Sequence, residues 1–309
     1  MVRYILGRQE RSLDLDINRL LESPSKIKED FRHIWNTIVK NINVNIGTDT
    51  AFSELENLVI YEALDGSRST CAFNKNINPQ FEGPLYVIKF MHILKLLGAK
   101  TCCMMVHTSY NRDRGQTEFN NVICAIEEGA PLIKNYGIEN NVFCSCMCIN
   151  KNYELKTILN DITESTRNGE FCTHFLFDYN EEWAETDVGL EAIKNLPEID
   201  VHIRHTKFQF SGGWIPGKMS KSVFLYSQNG STYSNWDTNE LITLISLSLL
   251  AKLFHKGEAL GKIYKNDGEI IERYKTRELK LFNKIINLRD NPKKLFMIGS
   301  PVGVYQFYY

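Results

Sequence analysis

The feature that most constrains this chain is a repeated switch between two hydrophobic periods. Continuous apolar runs occur at NLVIYEAL (57–64), TCCMMVH (101–107), VFCSCMCI (142–149), FCTHFLFD (171–178), IDVHIR (199–204) and SVFLYS (222–227). Between them lie amphipathic stretches of helical length at 83–99, 116–137, 152–169, 181–195 and near 237–255. A strand that is apolar on both sides must be covered on both sides, and alternation with helices supplies that cover through parallel crossovers. The pattern predicts an α/β fold: a doubly wound, mainly parallel six-stranded sheet with helices on both faces.

A chain of 309 residues allows one large domain or two small ones. No internal repeat or low-complexity linker divides it, so a single domain with terminal additions is expected. Residues 1–50 read as an N-terminal helical extension, with apolar positions at Ile27, Phe31, Ile34, Ile38 and Ile42 and a break at GTDT (47–50). Residues 51–309 read as the catalytic domain, ending in a charged helix and an aromatic tail, VGVYQFYY, that forms an extra strand or a packing flap.

Bulk charge excludes some partners. With a net charge of -1, no general field draws the chain to nucleic acid or to an anionic membrane. Eight cysteines are present, but Cys102-Cys103 and the alternating Cys144, Cys146 and Cys148 lie inside apolar runs, where free cysteine packs as a small hydrophobe, and a disulfide framework is not expected. The start has no signal-peptide run, and LITLISLSLLAKLF has the length of a buried helix, not of a membrane span. These readings predict a cytoplasmic protein with at most peripheral membrane contact.

In open α/β sheets, ligands bind outside the carboxyl ends of the strands, and the unusual residues of this chain fall there. The first strand runs into Asp65-Gly66-Ser67-Arg68-Ser69, and the second into His107-Thr108-Ser109-Tyr110-Asn111-Arg112-Asp113-Arg114. The fourth ends at Asp178-Tyr179-Asn180 and the fifth at Arg204-His205-Thr206. An Asp-Gly-Ser turn can offer backbone N–H groups to a phosphate, with Gly66 allowing close approach. The Asp65 carboxylate is a hard oxygen ligand suited to Mg2+ shared with substrate phosphates. Arginine forks match phosphate oxygens.

The order of these loops resembles the cis-prenyltransferases, the undecaprenyl diphosphate synthase family. LVIYEALDGSRS stands where that family has its Asp-Gly-Asn-x-Arg phosphate turn, and MMVHTSYNRDR supplies Asn111 and Arg114. LPEIDVHIRH followed by SVFLYSQ and Trp236 matches the family's closing motifs, so the resemblance spans about residues 57–250. It implies an enzyme that uses Mg2+ at Asp65 to ionise an allylic isoprenoid diphosphate and couple it to a second isoprenoid unit or other acceptor. Asp65 and Asn111 would be catalytic. Gly66, Ser67, Arg68, Ser69, Arg114, Arg204, His205, Lys218, Ser220 and Ser222 would bind substrate. A homodimer is also expected.

The chain departs from the family at defined places. The invariant arginine of the first turn falls on Ser69, and its Gly-His reads Gly83-Pro84. The family's second arginine aligns near Ser220, with Lys218 as a substitute, and no carboxylate follows SVFLYSQ until Asp237. KFQFSGGWIPGKMSK is inserted between Arg204 and Ser222. The losses suit an alternative, a terpene-synthase-like diphosphate lyase or cyclase needing one diphosphate site. A further alternative is a non-catalytic partner subunit, against which Asp65 argues. GKMSKS (217–222) also matches a loop of class I aminoacyl-tRNA synthetases, but GPLYVIKFMH poorly supplies the companion motif. Cys144, Cys146 and Cys148 share one face of a strand without zinc spacing, so they read as core.

Overall fold

The computed structural model describes residues 21–41, 44–66, 79–148, 150, 154–205, 212–227, 229–255, 295–300 and 303–308. Six parallel strands form one sheet: β1 (Ile60–Ala63), β2 (Thr101–Met105), β3 (Val142–Cys148), β4 (Phe171–Phe177), β5 (Val201–His205) and β6 (Val223–Ser227). The tail adds an antiparallel hairpin, β7 (Leu295–Ser300) and β8 (Gly303–Tyr308), with β7 pairing along β6. The sheet therefore has eight strands in the order β3-β4-β2-β1-β5-β6-β7-β8. Six are the parallel strands expected, and the hairpin extends them.

Alternation along each strand divides the side chains between two unequal layers. On the broad side, Ile60, Cys102, Met104, Val201, Ile203 and Leu225 join one large core. The helices packed into it are α1 (Pro24–Asn41), α2 (Thr48–Leu55), α3 (Pro79–Leu96), α4 (Gln116–Glu139), α5 (Lys156–Thr166) and α8 (Thr238–His255). Helix α1 buries Ile27, Phe31 and Trp35 in this same core and lies against α8. Helix α4 approaches α3 closely: a Cβ added at Gly129 would lie 2.2 Å from the Pro84 ring, so only glycine fits there.

On the thin side, Tyr61, Ala63, Cys103 and Met105 are covered by two short helices, α6 (Glu181–Ala184) and α7 (Asp187–Ile193), and by Ile215 and Met219. The single helix expected over 181–195 is broken in two. Thr186 ends the first piece and caps the second, its side chain accepting a hydrogen bond from the Gly189 amide.

One sheet edge is closed by side chains. The Cys144 and Cys146 amides, which point outward from edge strand β3, donate to the hydroxyls of Thr166 and Thr163 on α5. These bonds replace a missing strand partner. Burial raises the thiols of this strand, Cys146 to about 12 and Cys148 to about 11, so they stay protonated and act as core.

The strand order creates a switch point. From β1 the chain crosses the broad side to β2, whereas from β4 it crosses the thin side and enters β5 on the other flank of β1. Connections leaving in opposite directions open a crevice at the carboxyl ends of β1 and β5, where ligands bind in folds of this class.

Candidate functional site

Asp65 and Arg204 stand at this switch point. Arg204 is the fourth residue of β5 and pairs in register with Ala63, the last of β1. Two residues beyond Ala63, Asp65 returns to the same side of the sheet. Its Oδ2 lies 2.7 Å from Arg204 Nη2, with the Arg204 side chain 3% and the Asp65 side chain 30% exposed. The guanidinium also donates through Nη1 to the Gly212 carbonyl at 3.0 Å. Gly66 follows with φ at 84°, a conformation that favours glycine and turns the chain away from the strand.

A loop after β6 holds the Asp65 backbone. The Ser231 amide and hydroxyl both donate to the Asp65 carbonyl oxygen at 2.9 Å. On the thin side, segment 212–215 is strapped down. The Tyr61 hydroxyl donates to the Gly213 carbonyl at 2.6 Å and the Tyr179 hydroxyl to the Trp214 carbonyl at 2.8 Å. Glu181 accepts from the amides of Gly213 and Trp214.

The neighbouring strand ends form a second charged group. Arg112 makes a two-pronged contact with Asp178, through Nε and Nη2 at 3.0 Å each, and reaches Glu154 at 3.2 and 3.3 Å. Its guanidinium also covers the Phe119 ring at 4.4 Å. The hydrogen bonds to Asp178 are the main reason its pKa rises further. Asp178 itself is held at a φ of 50°. Beside it His107 is buried, and loss of solvent lowers its pKa from the usual 6.5.

Several residues expected at the site are employed elsewhere. Asn111 accepts through Oδ1 from the Thr108 amide and hydroxyl, at 3.3 and 3.0 Å, and so closes the turn that follows β2. His205 points to the broad side because it neighbours Arg204 in a strand, so it does not join the Arg204 group. Lys218, Ser220 and Ser222 lie at the opposite, amino-terminal edge of the sheet. The Lys218 carbonyl accepts from the Ile199 amide and the Ser222 hydroxyl donates to the Ile199 carbonyl at 2.7 Å, both just before β5 begins. Five residues of strand, about 3.3 Å each, separate them from the rim. The chain from Arg204 has by then descended the thin side, and the sequence cannot reveal that descent. The Lys218 ammonium instead donates to the Lys194 carbonyl at 3.0 Å. Asp237 caps α8, exchanging hydrogen bonds of 2.8 Å with Glu240. Ser67, Arg68 and Ser69 lie outside the described residues, as does the side chain of Arg114.

One buried polar grouping was not foreseen. Glu62, inside β1 and 0% exposed, accepts through Oε1 from the Tyr86 hydroxyl and lies 2.7 Å from His205 Nε2. A lone glutamate within an otherwise apolar run was the signal available, since burying it demands partners.

No family model matches the sequence, and no curated protein matches it. Solved structures do. The fold is similar to that of lavandulyl diphosphate synthase from Lavandula x intermedia, solved with dimethylallyl diphosphate, at 13% identity and a TM-score of 0.50. That match covers 63% of this chain and 96% of the synthase. A probable undecaprenyl diphosphate synthase from Campylobacter jejuni matches at 12% identity and a TM-score of 0.46, over 62% of this chain and 93% of its own. Among the described residues no helix is long and apolar enough to cross a membrane. The chain thus has an α/β fold similar to that of lavandulyl diphosphate synthase, with Asp65 and Arg204 at its switch point.

Proposed function

We propose that this protein is a cis-prenyltransferase-like enzyme that ionises an allylic isoprenoid diphosphate. The observation that carries this reading is the Asp65–Arg204 pair at the sheet crevice. Ionisation needs a group to hold the departing diphosphate and a means of offsetting its charge. Arg204 carries a guanidinium fork of the kind that matches phosphate oxygens, engaged here by Asp65 and the Gly212 carbonyl, and Asp65 is partly exposed beside it. The residues fit Mg2+ in a limited way. No group of three metal-binding side chains occurs among the described residues, but Mg2+ commonly takes one or two carboxylates plus substrate phosphates. Asp65 would hold Mg2+ jointly with the diphosphate, and the ion would supply charge neutralisation for the leaving group. The apolar tail would lie in the broad core side.

The reading as a lyase or cyclase draws support from the position of Lys218, Ser220 and Ser222. They sit at the far edge, and Arg112 is engaged by Asp178 and Glu154. Among the described residues, Arg204 is therefore the basic group placed at the rim beside Asp65, which suits one diphosphate better than two. Incubation with Mg2+ and C5 to C20 isoprenoid diphosphates, alone and in pairs, separates these outcomes by product analysis. Coupled chains indicate transfer, and rearranged or dephosphorylated hydrocarbons indicate a lyase. No diphosphate binding and no conversion would reject both.

A further inference from the structure

Two acid–base pairs bridge β1 and β5, one on each side of the sheet. Asp65 and Arg204 close the thin side, and Glu62 and His205 the broad side. The second pair is wholly buried. His205 Nδ1 lies 2.7 Å from the Asn229 carbonyl oxygen, which can only accept, so Nδ1 carries a hydrogen. One more proton then lies between Nε2 and Glu62 Oε1, and the pair is neutral wherever on that line it rests. Glu62 Oε2 is left buried with no hydrogen-bond partner among the described residues.

Such an oxygen calls for an explanation, because buried polar atoms nearly always have partners. Its surroundings are suggestive. Tyr86 and His205 both touch this carboxylate, and their rings and that of Trp236 lie 5.7 to 6.1 Å from one another. Aromatic faces and a carboxylate together favour a passing positive charge. Lys89 donates to the Trp236 carbonyl at 2.8 Å and lies over the Tyr233 ring.

We infer that Glu62, through Oε2, is the base that ends the reaction, with His205 and Tyr86 as positioning residues. This rests on the reading of the protein as an enzyme of allylic diphosphates and adds a role that reading does not assign. An allylic cation that couples or rearranges must finally lose a proton from carbon, and a base must take it. The C–O bond to diphosphate breaks with its electron pair leaving on the diphosphate. A C–H bond beside the cationic carbon then breaks, its pair forming the alkene and its proton passing to Glu62 Oε2. Glu62 must release that proton before the next turnover; the net products are the alkene, diphosphate and one proton, so charge and atoms balance and nothing is oxidised. Asp65 is less suited, since Arg204 already engages its carboxylate on the other side of the sheet.

The test compares wild type with Glu62→Gln and Tyr86→Phe, measuring diphosphate release and the ratio of alkene to alcohol products. Glu62→Gln keeps the shape but cannot take the proton. Among the products formed, the alkene fraction should fall at least tenfold in favour of water capture. Tyr86→Phe, which keeps the base but removes the hydrogen bond that positions it, should lower the alkene fraction less than Glu62→Gln does. An unchanged product ratio in Glu62→Gln overturns the inference while leaving the ionisation reading intact. A second measurement needs no variant. With diphosphate present, wild type should bind an ammonium analogue of the allylic cation at least tenfold more tightly than its uncharged isostere. Equal affinity also overturns the inference. If wild type releases diphosphate from no substrate, the ionisation reading itself has failed.

Discussion

Asp65 Oδ2 and Arg204 Nη2 stand 2.7 Å apart across the crevice between β1 and β5. Each is thus the other's competitor for an incoming ligand. On the proposed function, diphosphate would have to win the guanidinium from the carboxylate, and a metal ion would have to win the carboxylate from the guanidinium. Loss of Arg204 removes a charge-assisted contact worth about 1.5–3 kcal/mol, so Arg204→Ala should weaken diphosphate binding roughly ten- to a hundredfold. Calorimetry checks this, and unchanged affinity would remove Arg204 from the site.

The same competition predicts a sign reversal at Asp65. Without metal, Asp65→Asn should bind diphosphate as tightly as wild type or more so, because a rival anion is gone. With Mg2+ present, wild type should be the tighter binder and Asp65→Asn should lose turnover. Titrations of both proteins in chelator and in Mg2+ decide the matter. Weaker binding of the variant in chelator would show that Asp65 does not oppose the ligand.

His202 lies buried between the Tyr61 and Phe224 rings. Loss of solvent, then the nearby Arg204 charge, push its pKa well below 6.5. The unfolded chain binds a proton below about pH 6.5 that the folded chain refuses. Stability is therefore present above that pH and is lost as pH falls, by about 1.4 kcal/mol per pH unit for this group. His202→Leu should flatten the decline in denaturation free energy between pH 6.5 and 5. An equal slope in both proteins would assign the acid sensitivity to other groups.

Gly213 has a φ of 94°, and a Cβ there would lie 2.7 Å from the Tyr61 hydroxyl. Gly213→Ala should therefore cost on the order of 1–3 kcal/mol and loosen the strap that carries the Gly212 contact to Arg204. Tyr61→Phe, which removes one hydrogen bond but no backbone freedom, should cost about 1 kcal/mol. Urea denaturation of both variants checks the order; equal or reversed costs would refute it.

Thr163 and Thr166 shield the outer edge of β3. Replacing both by valine should cost about 2 kcal/mol in all, at about 1 kcal/mol for each bond. It should also raise association between chains by exposing the β3 amides. Light scattering during mild heating reads this out, and scattering unchanged from wild type would mean that other elements guard the edge.

What the sequence determined by itself was local. Periods of apolar residues are set by the strand and helix repeat, so β1 to β6 were legible to within a few residues. So was the location of polar residues at carboxyl ends, including Asp65 and Arg204, which the motif order also marked. The two-sided burial of the central strands β1, β2 and β5 followed from unbroken apolar runs and led to the parallel sheet.

Only the tertiary structure decided which strand ends meet. Placing β5 beside β1, 141 residues apart at the Val59–Asp200 bond, depends on a crossover and not on any local pattern. That placement joins Asp65 to Arg204 and Glu62 to His205. It equally separates Arg204 from Ser222, near neighbours in the chain, because the connection between parallel strands must return to the sheet's other edge. Alternation then sends His205 to the opposite side from Arg204, one residue away. A side chain's chemistry is local, but its partners depend on strand order, which is held by the burial of both cores together.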